Sequence, residues 1–134
     1  MPRRRRFALS DTAQQVVGGF LLAGPFVVTE EVWVLAGHMS ALQWAVTVTM
    51  VFAIGWGALY RADSDRDADD ETEVAGIPYR FVTLMFVSFG SVVVLAYSFA
   101  APETFGADAF QTAKAVSIGA IFAVVGAATA DSVF

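Results

Sequence analysis

The chain contains no cysteine, one histidine (His38) and one lysine (Lys114) among its 134 residues. The first absence excludes disulfides and thiolate metal sites, and a single histidine excludes a histidine-cluster metal centre. Hydroxyl side chains occur in the apolar tracts without a histidine partner, and no nucleophile–base pair stands out. Neither an enzyme nor a cofactor is therefore expected, and no nucleic-acid partner is implied. Charge is also missing where it matters: residues 42–60 and 81–101 carry none at all.

What is present is apolar. Hydrophobic residues make up 57% of the chain and the mean hydropathy is +0.62, above the roughly 45–50% apolar content of soluble domains. Charges are gathered into blocks, Arg3 to Arg6 and Asp63 to Glu73, with long uncharged tracts between them. Seven of the thirteen acids (Asp63, Asp65, Asp67, Asp69, Asp70, Glu71 and Glu73) sit in the second block, so the net charge of −5 describes one connection rather than the whole surface. An acid-rich, lysine-poor surface suits the high-salt cytoplasm of a halophilic archaeon. An ordinary acidic linker is the plainer alternative.

A bilayer core of about 30 Å takes about 20 helical residues. Four tracts qualify, at 16–36, 42–60, 81–101 and 115–134, predicting an all-α polytopic membrane protein in one integral membrane domain. Residues 37–41 read as a tight hairpin, 61–80 as an acidic cytoplasmic loop with Pro78 placed for a helix start, and 102–114 as a polar loop in which Asp108 caps a short turn. Seven arginines flank the side holding both termini and the acidic loop, against Lys114 alone on the other. By the positive-inside rule both termini are cytoplasmic. The N-terminal stretch is expected to be retained, because its apolar tract is too long for a signal h-region and contains Glu30 and Glu31. A multi-pass protein of the cell membrane, with the lipid bilayer as its first partner, follows.

The first tract carries the candidate site. Ionisable residues inside a membrane usually face protein or a watery pathway. Gly24 and Pro25 precede Glu30 and Glu31 by one to two turns, and proline frees a carbonyl that must find another donor. Kinked helices of this kind line binding sites in many transporters. On a continuous helix Glu31 shares a face with Gly24, and Glu30 one with Gly19 and Phe26. Both acids would then lie about 6–8 Å from the bilayer centre at 1.5 Å per residue. The alternative is that both acids snorkel, or that the first span ends near Val28 and leaves them at the interface. Thr29 and Asp131 complete the candidate ion-binding or pathway set.

Gly18 and Gly19, with the i, i+4 line Ala115, Gly119, Ala123 and Ala127, permit close helix packing. Ser88, Ser91 and Ser98 make a polar stripe on the third span, suited to packing or to a wet path. At a spacing of 100 residues Gly19, Ala23, Thr29 and Glu31 return as Gly119, Ala123, Thr129 and Asp131, which is either chance or an inverted repeat. His38 reads as a solvated loop residue or a pH sensor. Four helices can scarcely enclose a hydrated path. The leading expectation is therefore a homo-oligomeric channel or transporter for a monovalent or divalent cation, built around Glu31. The alternative is a non-transporting scaffold or accessory subunit.

The run from Gly18 to Trp33 resembles the first span of an uncharacterised family of prokaryotic integral membrane proteins, represented in haloarchaea and bacteria. That span reads Gly-Gly, apolar residues, Gly-x-Pro, then Thr-x-Glu-x-Trp. Gly18, Gly19, Pro25, Thr29, Glu31 and Trp33 match it. Glu30 stands where the family often has an apolar residue, so the resemblance favours Glu31. It implies a membrane protein and no activity. A fainter likeness links Arg5, Ser10 and Asp11 to the Arg-x-x-x-Phe-Ser-Asp motif that opens lysosomal-type potassium channels, with Leu9 in place of the aromatic.

Overall fold

The computed structural model describes residues 9–61, 73–74 and 77–133. It is all-α and polytopic apart from one small ladder, with three helices long and apolar enough to cross a membrane and a fourth candidate that is bent.

The first tract is not one helix. Helix α1 (Leu9–Val27) starts earlier than the hydropathy tract, and the chain then turns by 80° into α2 (Glu30–His38). The expected span 16–36 is corrected accordingly. Nineteen residues at 1.5 Å each make α1 about 28 Å long, close to a bilayer core without any help from α2.

Met39 and Ser40 link α2 to α3 (Ala41–Trp56). The start of α3 is defined by a reciprocal cap. The Gln43 N–H donates to Ser40 Oγ at 3.1 Å, and the Ser40 N–H donates to Gln43 Oε1 at 2.9 Å, satisfying two amides that a helix start leaves open. A π-helical turn, Gly57–Arg61, continues α3. Beyond it β1 (Glu73–Val74) pairs antiparallel with β2 (Ile77–Pro78), Val74 opposite Ile77. The rest of the acidic connection lies outside the described residues.

Pro78 immediately precedes α4 (Tyr79–Ser98), where its missing N–H costs nothing. A left-handed Ala100 (φ 54°) turns the chain into the one-turn α5 (Ala101–Thr104). Helix α6 (Ala109–Val133) follows, so the expected polar loop 102–114 and the span start at 115 are both corrected. Asp108 caps this long helix rather than a short turn, its Oδ1 accepting the Gln111 N–H at 2.8 Å.

Helix α6 is the central element, packed by α1, α2, α3 and α4. Its apolar window is 61% buried, against 17% for that of α3. The large side chains turned outward, among them Leu21, Leu42, Phe86 and Phe110, are apolar on every span. Such a surface is expected where lipid, not water, surrounds the bundle.

Candidate functional site

The bend between α1 and α2 is built from side chains that satisfy the carbonyls it frees. Pro25 has no N–H, which removes the hydrogen bond to the carbonyl four residues earlier and weakens the end of α1. The Phe26 carbonyl accepts both the Thr29 N–H at 3.2 Å and the Thr29 hydroxyl at 2.9 Å. The Val27 carbonyl accepts the indole N–H of buried Trp33 at 2.8 Å. In hydrocarbon an unpartnered carbonyl costs several kcal/mol, so these bonds are what lets the helix turn sharply at the end of α1.

Helix α2 is then tied across the start of α6. Gln111 Nε2 donates to the Trp33 carbonyl at 2.8 Å, Lys114 Nζ to the Met39 carbonyl at 2.7 Å, and the Trp33 ring packs 5.9 Å from Phe105. Val32, Trp33 and Ala36 face the bundle. Glu30 and Glu31 are exposed in the first turn of α2, beside an open recess of about 380 Å³ whose other walls are Val34 and Leu35. Carboxylates in a first turn complement the positive end of the helix dipole. His38, in the last turn, is exposed.

The face that Gly24 and Glu31 would share on a straight helix does not exist, because the 80° turn falls between them. Gly24 is half-buried, and a Cβ added there meets nothing within 4 Å; Pro25 is exposed. Both acids therefore sit on a helix that crosses the end of the bundle, as in the alternative of a short first span. Among the described residues no three His, Asp or Glu side chains converge on a metal position. Asp131 belongs to the last turn of α6, and its side chain lies outside the described residues.

The glycines and alanines are occupied within the chain. Gly18 and Gly126 meet backbone to backbone, and a Cβ on either would strike the other's carbonyl oxygen. Gly19 lies against Ser91 and Ala123, and Gly119 against Val92. Ala115, Ala123 and Ala127 are fully buried. Ser88 and Ser91 are buried while Ser98 is exposed, so the serine stripe does not run the length of α4. The proposed echo between first and last spans also stops short: Thr29 stands at a helix break, Thr129 in an unbroken helix.

At the opposite end of the bundle Gln15 and Arg80 are fully buried, and Gln14 Oε1 has no hydrogen-bond partner among the described residues. Hydropathy hides these residues, because α1 starts before the apolar tract and Arg80 counts only as a flanking charge. Their signal was helical spacing continued backward from Gly18 and Gly19. Arg5, of the fainter channel-like motif, lies outside the described residues, and Leu9, Ser10 and Asp11 form the first turn of α1. No family model, curated protein or solved structure matches the chain.

Proposed function

We propose that this protein is a non-transporting scaffold or accessory subunit of the cell membrane, without catalytic activity, presenting the acidic first turn of α2 on one side and the acidic 61–80 connection on the other. The observation that carries this reading is the closed α1–α6 seam, where Gly18 meets Gly126 and the small residues spaced for close helix packing are buried inside one chain. The two carboxylates stand outside that seam, exposed on α2. Its likeness to uncharacterised prokaryotic membrane proteins is part of the proposal and brings no activity with it.

The second reading is cation conduction through a homo-oligomer, with Glu31 and Glu30 around a shared axis and Thr29 beside them. It is favoured by the open recess that both acids line. Liposomes containing only the purified protein separate the two. The scaffold reading expects monovalent and divalent cation flux no higher than in empty liposomes. Flux that rises with protein and is lost in Glu31→Gln would establish conduction instead.

A further inference from the structure

We propose that the groove between α3, α4 and α6 is a specific site for one lipid of the leaflet on the α2 side, which the arginine count makes the outer one. The groove is open and holds about 480 Å³. Helix α6 forms its back, and α3 and α4 form its walls. Its chemistry is graded along the membrane normal. Near the α2 end it carries the Thr112 hydroxyl, the exposed Tyr97 near the end of α4, and the pair Trp44–Ser117, joined by an indole N–H to hydroxyl bond of 2.9 Å. Towards mid-membrane it is lined by Val93 and Phe89. A polar rim above an apolar floor has the order of a lipid, with glycerol and ester groups at the interface and the chain below.

Thr112 identifies the occupant. Thr47, Thr49, Thr83, Thr104, Ser88 and Ser117 each donate a hydroxyl to the carbonyl four residues earlier. Thr112 is only 7% exposed, and its hydroxyl makes no hydrogen bond among the described residues. Thr112 lines the groove, so its hydroxyl is available to an acceptor seated there. A lipid ester carbonyl accepting from Thr112, with its chain against Val93 and Phe89, satisfies the hydroxyl and fills the apolar floor together. A second protein chain would need its own buried acceptor at the same depth.

The test uses the full-length protein in nanodiscs doped with phosphatidylglycerol bearing a diazirine on one acyl chain. After photolysis, adducts on the groove residues Phe89, Val93 and Val116 are compared with those on Leu21, a lipid-facing residue of α1. Adducts should concentrate in the groove and resist dilution with unlabelled lipid longer than those at Leu21. Ala113→Phe, which fills the groove from α6, should bring the ratio down to that of general lipid contact. Thr112→Val, of the same shape without the hydroxyl, should weaken retention about fivefold, the value of one hydrogen bond. Equal labelling at the groove and Leu21 in wild type, or a ratio unchanged in Ala113→Phe, would overturn the proposal. Retention unchanged in Thr112→Val would overturn it too, by making the hydroxyl's partner water. If Ala113→Phe does not fold by circular dichroism, Val93→Trp fills the same groove from α4 and is read in the same way.

Discussion

The two halves of the run from Gly18 to Trp33 solve opposite problems. The first half, in α1, lies in a close seam with α6, where side chains are removed so that backbones can meet. The second half, at the corner, needs side chains, because a helix that stops in or near hydrocarbon leaves carbonyls, two of which Thr29 and Trp33 take up. Hydrocarbon gives no hydrophobic push between helices, so the seam depends on shape and close approach. The corner depends on donors. Substitutions should therefore fail for different reasons in the two halves, and by different amounts.

The largest effect is expected in the seam. Gly18→Leu places a side chain against the Gly126 carbonyl and the Ala130 methyl, where backbone must move to admit it. The expected cost is about 3 kcal/mol or more, at or beyond the upper end for overpacking. Gly24→Leu, six residues along the same helix, enters open space and should be close to neutral. Thermal melting in mild detergent, followed by tryptophan fluorescence, compares the two. Equal sensitivity at both positions would mean that the seam is not what holds α1 in place.

The corner should break more gently. Trp33→Phe keeps the ring against Phe105 and removes the indole donor, leaving the Val27 carbonyl without its partner. About 1–3 kcal/mol is expected, the cost of an unsatisfied buried acceptor. Protection of the α2 amides in hydrogen exchange should fall more than protection of α6. A uniform loss over all helices would argue that Trp33 works only as core volume.

Much of the architecture was legible because hydropathy is additive over a span. Residues 42–60 and 81–101, with no charge, could scarcely be anything but membrane helices, and Pro78 marked a helix start. The corner was not legible for the same reason: a window from 16 to 36 averages across the break and sees one apolar tract. Pro25 signals a weakened helix, but an 80° turn needs Thr29 and Trp33 to claim carbonyls three and six residues earlier. The Thr29 bond is a common local pattern that does not announce a bend of this size, and the Trp33 bond follows no spacing rule. The small residues of α6 illustrate a different limit. Their i, i+4 line correctly marks a surface for close approach, but spacing does not name the neighbour, and here the neighbours are α1 and α4 of the same chain. The start of α6 was missed because Gln111, Thr112 and Lys114 look like loop by polarity, although Gln111 reaches across to α2 and Lys114 to the link after it.

The smallest effect expected is at Glu31, and it sharpens the contrast most. In a corner built only to end α1 and start α2, an exposed first-turn carboxylate has one structural task, to complement the positive end of a nine-residue helix. Glu31→Gln should then cost about 0.3–1 kcal/mol at low salt, and the difference should fade as ionic strength rises. Glu30→Gln should behave alike, since both acids occupy the same turn. Thermal melting of the two variants at low and high salt, in the same detergent as wild type, measures this directly. If the two substitutions differ sharply, or if Glu31→Gln alone abolishes stabilisation of the wild type by an added divalent cation, the acids are not equivalent helix-start charges. Glu31 would then be held for a ligand, and the corner would belong to the ion-conducting reading.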